Sequence, residues 1–168
     1  MQVPPSSKEP QKPRPPVAEM FGATSAPFHI GAHPVQIVLP VHPPSGPALL
    51  QGEVAARKIG LKLENVTCPL RAPTFAVYLN VPPGEDASRH PELFAGSMGM
   101  FGLPEASRED GRHSASGMNF VMEVTNLYVL LSTRRDWDPK NLRLTFVAGD
   151  WDAPVPDVQV GRASLYLL

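Results

Sequence analysis

Apolar positions recur with a period of two through most of this chain. In RKIGLKLENV, Ile59, Leu61 and Leu63 alternate with Lys58, Gly60, Lys62 and Glu64, which predicts an antiparallel strand with one wet face. TFAVYLNV repeats the pattern, with Phe75, Val77 and Leu79 on one face and Ala76, Tyr78 and Asn80 on the other. In MNFVMEVTNLYVLL, Met118, Phe120, Met122 and Val124 share a face, and after Asn126 a second apolar run extends from Leu127 to Leu131. LRLTFV places Leu142, Leu144 and Phe146 inward. In VQVGRASLYLL the inward set passes from Val158 and Val160 to Ala163, Leu165 and Leu167, a change of phase at Gly161-Arg162 that predicts a β-bulge. A shorter strand, Val35 to Leu39, lies between Pro34 and Pro40 and is expected at a sheet edge. About six or seven strands follow, with no amphipathic helix of normal length and no internal repeat. The prediction is an all-β antiparallel sandwich or jelly-roll-like barrel.

Composition sharpens the organisation. The chain has 168 residues and 21 prolines, too many for a helical bundle. Residues 1–19 are a Pro/Ser/Lys/Glu segment with too little apolar surface to order itself, and are read as a disordered linker. Residues 20–168 form the β-domain, with a linker strand and loop over 20–47 and the core over 53–168. A net charge of -1 supplies no electrostatic reason for nucleic acid or an anionic membrane as partner. No apolar run has the length of a membrane span, and MQVPPSSKEPQKPRPP has no signal-peptide pattern, so localisation stays open. Cys68 is the only cysteine, which excludes an intrachain disulfide and favours a small buried side chain over a reactive thiol.

The residues do not assemble an enzyme. No nucleophile elbow, phosphate loop, dinucleotide fingerprint or zinc-protease motif is present. His29 and His33 are four apart, yet Pro27, Gly31 and Pro34 deny them a helix that would align them on a metal. Glu105, Glu109 and Asp110, interleaved with Arg108 and Arg112, read as a solvated loop rather than paired catalytic carboxylates. His90 and His113 flank the apolar stretch PELFAGSMGMFGLP and are weak metal candidates.

The order of these segments resembles the C-terminal β-domain of tyrosinases and polyphenol oxidases, the type III copper proteins. The family's aromatic strand is matched by Phe75, Val77, Tyr78, Leu79 and Asn80, and its later Glu-Phe-Ala-Gly-Ser segment is represented by Phe94, Ala95, Gly96 and Ser97. EMFGATSAPFHIGAHPVQIVLP is similar to the linker that leaves the copper domain, through Gly22, Ala23 and Thr24. The two histidine triplets of the copper domain have no counterpart here, so the resemblance implies copper in a parent catalytic domain and no cofactor in this chain. The partner it implies is a tyrosinase-type dicopper domain, in the same polypeptide or a separate one, with no nucleic acid and no membrane involved.

That resemblance implies a non-catalytic domain that shields the copper site and keeps the enzyme latent. The linker lacks the long Lys/Glu-rich run of the plant forms, which leaves activation by cleavage there in doubt. A lid of this kind needs an apolar plug on a conformable loop. Met98, Met100, Phe101 and Leu103, set among Gly96, Gly99 and Gly102, are the candidates. Two alternatives stay open. Met98, Met100, Met118 and Met122 with His90 and His113 are soft and borderline ligands suited to copper delivery. An unrelated sandwich-type binding module is the other, and would need Trp137 and Trp151 to form one exposed patch.

Overall fold

The computed structural model describes residues 17–43, 57–110 and 115–168. Most of the residues read as a disordered linker, and most of the loop read from Pro43 to Pro47, lie outside the described residues. The strands are β1 (Glu19–Ala23), β2 (Phe28–Ile30), β3 (Val35–Leu39), β4 (Ile59–Thr67), β5 (Phe75–Leu79), β6 (Phe94–Met98), β7 (Met118–Glu123), β8 (Leu142–Ala148) and β9 (Val158–Leu167). Two helices join them, α1 (Leu103–Ala106) and α2 (Thr125–Ser132). Among the described residues the strands form two antiparallel sheets. The first runs β1-β9-β4-β7, with β2 also on β9, and the second runs β3-β8-β5-β6. The molecule is a β-sandwich, as the alternation predicts, and the sheets do not close into a barrel.

Inward positions of both sheets make one core. Ile59, Leu61 and Leu63 of β4, Phe75, Val77 and Leu79 of β5, Leu142, Leu144 and Phe146 of β8, and Ala163 and Leu165 of β9 are all buried. The sheets also meet along their sides. Gly22 bridges to Val41, and His42 N–H donates to the Phe21 carbonyl at 2.7 Å, joining β1 to the chain that leaves β3. On the other side, a Cβ at Gly96 of β6 would lie 2.9 Å from Met122 Sδ of β7. Glycine at that position lets the two edge strands approach. Burial of these side chains supplies the main driving force, at roughly 1.5–3 kcal/mol for each large apolar group.

Two sequence expectations change, and two open readings are resolved. There are nine strands among the described residues, because Phe94 to Met98 forms β6 and the stretch before Val35 forms β1 and β2, which divide one edge of β9 between them. Thr24 holds the step between them, donating its N–H to the Ala163 carbonyl at 2.9 Å and accepting the Ala163 N–H at Oγ1. The run Leu127 to Leu131 belongs to a helix, not a strand. Tyr128 and Leu131 are its buried positions, and Val124 at its N-cap is buried too, so the three are spaced four and three apart as a helix face requires. Tyr128 stacks edge-on with Phe21 at 5.6 Å and with Trp137 at 5.4 Å. Burial pushes its hydroxyl pKa up to about 12.

The phase change at Gly161-Arg162 is real, but it is not a bulge against β4. Pairing stays in register through Leu63–Ala163, Glu64–Arg162 and Val66–Val160. Both strands change face together, with Asn65 in the left-handed region at φ 52°. The register shift falls instead between β4 and β7, at Leu63/Val66. Finally, Trp137 packs partly buried against the core before β8, whereas Trp151 lies beyond its far end. The seven residues of β8 span roughly 20 Å, so the two indoles cannot form one patch.

A charge cluster sits where the two strands change face. Glu64 accepts from Arg162 Nε at 2.7 Å and from Ser164 Oγ at 3.1 Å, and pairs with Lys62 Nζ at 3.1 Å. The Arg162 hydrogen bond is the main cause that lowers the Glu64 pKa from 4.5 to about 2, against a smaller opposing effect of desolvation. A carboxylate depressed on folding stabilises fully above its unfolded pKa and loses that contribution as the pH falls through its folded pKa. Glu64→Gln is therefore expected to cost about 2 kcal/mol at neutral pH. It should also flatten the loss of stability between pH 4.5 and about 2, measured by urea denaturation across that window.

Candidate functional site

The stretch from Phe94 to Leu103 is an edge strand followed by a tight turn. β6 pairs with β5 through Phe75–Met98, Ala76–Ser97 and Val77–Gly96, then slips so that Tyr78 faces Phe94 and Ala95 is the extra residue. The Tyr78 and Phe94 rings meet at 5.5 Å, close to edge-on. Asn80 ends β5 at φ 60°, a left-handed conformation that asparagine tolerates better than most residues, and its N–H donates to the Arg143 carbonyl at 2.7 Å. The matched family-motif residues thus form a single β5–β6 hairpin unit on the second sheet.

Beyond β6 the chain turns at Met100-Phe101-Gly102-Leu103. Leu103 N–H donates to the Met100 carbonyl at 3.2 Å, and Gly102 has φ 79° and ψ -1°. Those angles are those of the third residue of a type II turn, where glycine is favoured because φ is positive. Met100 and Leu103, the first and last residues of the turn, are buried, as is Met98. Phe101, at the second position, is 96 % exposed. Three of the four plug candidates therefore belong to the core, and one aromatic ring is displayed at the apex between them. Leu103 also starts α1, with Pro104 in its first turn, and Ser107 ties the helix down by donating from Oγ to the Leu103 carbonyl at 2.7 Å.

The connection from β5 to β6 is stiffened by His90. Its Nε2 lies 2.5 Å from Glu85 and its Nδ1 3.2 Å from Glu92, so one imidazole clasps both ends of the loop. The two carboxylates, Glu85 foremost, raise the His90 pKa above its ordinary 6.5. His90 lowers that of Glu92 in return, after a larger effect of a backbone hydrogen bond. Next to it, Asp86 caps the Ala87–Arg89 turn by accepting the Ser88 N–H at 2.9 Å.

Among the described residues, no three His, Cys, Asp or Glu side chains are placed to hold one metal ion. His90 spends both nitrogens on carboxylates, and His29 pairs with Asp157 at 2.6 Å. Met98 and Met100 face the core, Met122 is buried against Gly96, and Met118 is half-buried. His113 lies outside the described residues.

Two outcomes follow from this geometry. Phe101→Ser should leave thermal stability within about 0.5 kcal/mol of the parent, while Met98→Ala or Leu103→Ala should cost about 2–5 kcal/mol. Equal losses at all three positions would mean that the Phe101 ring is also packed. In an NMR pH titration the His90 imidazole should titrate above 6.5, and Glu85→Gln should bring it down. The stability that His90 contributes is complete below 6.5 and is lost as the pH rises through its folded pKa.

Comparison with known proteins places the chain. It is 30 % identical to a tyrosinase of Hahella sp. (strain CCB-MM4) over 165 residues, 96 % of this chain, and spans 35 % of that tyrosinase's length. The expected relationship to tyrosinases is thus met. Similar folds occur in the latent apple tyrosinase, at 16 % identity and a TM-score of 0.46 over 88 % of this chain and 28 % of that one. They also occur in a latent aurone synthase (polyphenol oxidase), at 13 % identity and a TM-score of 0.47 over 85 % of this chain and 24 % of the other. A family model described as a domain of unknown function (DUF7868) matches residues 17–167, and the chain belongs to that family.

Proposed function

We propose that this chain is the shielding domain of a tyrosinase-type dicopper oxidase, and that Phe101 is the side chain it inserts into the mouth of the copper site. The observation that carries the reading is the turn itself. A phenyl ring is almost fully exposed, held outward by two buried neighbours and a glycine in the left-handed region. Such a ring has the shape and polarity of a phenolic substrate without its hydroxyl, so it can occupy a phenol pocket without being oxidised. Support also comes from the related Hahella tyrosinase, which carries a matching region as about a third of its length. Copper and its histidines would lie in the catalytic part of the parent enzyme.

Magnitudes decide what else the lid needs. Burying the Phe101 ring contributes roughly 1.5–3 kcal/mol, enough to exclude a weakly bound phenol but not to hold two separate domains together. If both parts share one polypeptide, the effective concentration rises to about millimolar, and modest intrinsic affinity keeps the lid closed. The protein's own part of the mechanism is steric: it orients one ring, excludes substrate and leaves when the surrounding contacts weaken.

The test is titration of the purified chain into the copper-loaded catalytic part of its tyrosinase, following diphenol oxidation. Saturable inhibition is expected, relieved by low SDS, with Phe101→Ala restoring most of the activity at saturation. Inhibition that Phe101→Ala leaves unchanged would move the plug elsewhere. Failure of the wild-type chain to inhibit would sink the shielding role, and faster copper reconstitution of apo-enzyme would then favour delivery.

A further inference from the structure

The Phe101 turn does not stand alone at its end of the sandwich. Phe75 of β5 pairs with both Met98 of β6 and Ala148 of β8, so the loops just outside these three positions emerge side by side. Gly149 N–H donates to the Thr74 carbonyl at 2.8 Å, which joins two of those loops directly. The loop entering β5 carries Leu70, 62 % exposed, and the loop leaving β8 carries Trp151, 36 % exposed. The far end of the sandwich treats its indole differently, since Trp137 is tucked against Tyr128.

These loops are exposed at their tips and fixed at their bases. Cys68 is buried, and its N–H donates to Ser107 Oγ at 2.9 Å. Ser107 in turn holds Leu103, the last residue of the Phe101 turn. Leu70 and Phe101 are therefore referenced to one another through two hydrogen bonds that meet at the Ser107 hydroxyl. Three apolar side chains on pinned loops at one end have the composition of an interface centre, where aromatic anchors carry most of the binding energy.

We propose that Leu70 and Trp151 are the anchors that seat this end on the catalytic part of the tyrosinase, and that they aim Phe101 rather than plug the site themselves. The proposal rests on the shielding reading for the identity of its partner. A second copy of the chain is a poorer occupant. A twofold contact needs the same surface to be both knob and recess, and this end displays a knob. The related Hahella tyrosinase, in contrast, has about two thirds of its length beyond the matched region.

Anchor and plug separate in one experiment that records both binding and activity. Calorimetry would give the Kd for the 168-residue chain against the copper-loaded catalytic part of its tyrosinase, and diphenol oxidation would be read at saturation. The double variant Leu70→Ala/Trp151→Ala is expected to bind about 10–100-fold more weakly, yet to inhibit as fully as the parent once saturated. Phe101→Ala should lose inhibition even at saturation, which the double variant retains. Thermal melting of each variant confirms that the fold is intact. A Kd within about twofold of the parent for the double variant would overturn the anchor assignment. So would absence of binding by the wild-type chain, or its self-association through these residues in sedimentation. Binding that depends on Leu70 and Trp151 without any inhibition would uphold the anchors and reject the shielding role.

Discussion

The sandwich depends on the antiparallel pairing of β4 with β9. That pair runs from Ile59–Leu167 to Thr67–Gln159 without losing register, and every other strand of its sheet attaches to one of the two. Midway along, both strands turn their inward faces over together, at Asn65 on one and at Gly161-Arg162 on the other. A change of face in one strand alone would expose half of its apolar set. Made in both, it keeps Val66 and Val160 buried as well as Leu63 and Ala163. The Glu64, Arg162 and Ser164 cluster marks the same point on the wet side and fixes it electrostatically.

The second sheet uses this foundation to place its chemistry-bearing end. β8 and β5 run together, and β6 hangs on β5 as an edge strand whose far end is free to turn. What displays Phe101 is the burial of the residues on either side of it. Met100 and Leu103 are held by the core, Gly102 allows the tight turn between them, and the ring at the second position has nowhere to go but outward. His90 contributes at a distance, by clasping Glu85 and Glu92 and so stiffening the arm that leads into β6. The result is a scaffold with a pinned turn at its tip, in which one aromatic ring is exposed while its neighbours serve the core.

Much of this was legible in the chain. Strands β4, β5, β7, β8 and β9 announce themselves by alternation, because a half-buried strand must alternate whatever its partners are. The edge position of β3 follows from its flanking prolines. The run that becomes α2 carries no assignment by itself, because five consecutive apolar residues satisfy either period, although Val124, Tyr128 and Leu131 carry the helical spacing. β1 and β2 escaped notice because three to five residues hold too little periodicity, and their partner β9 lies some 140 residues away. The resemblance to tyrosinases rested on the order of several weak motifs, and it survived comparison across nearly the whole chain.

Within the apolar stretch the sequence alone could not choose among Met98, Met100, Phe101 and Leu103. All four are large and apolar, and composition carries no sign of which side of a backbone each will occupy. That choice belongs to register: pairing with Phe75 turns Met98 inward, and the type II turn then buries Met100 and Leu103 while turning Phe101 out. The gathering of Leu70, Phe101 and Trp151 at one end is likewise a product of strand order, since these residues are 31 and 50 positions apart along the chain. The sequence by itself determined the class of fold and the alternating faces, because those follow from local periodicity and residue chemistry. Which apolar side chains meet water was decided by tertiary structure, because exposure depends on the partners that pairing brings to each residue.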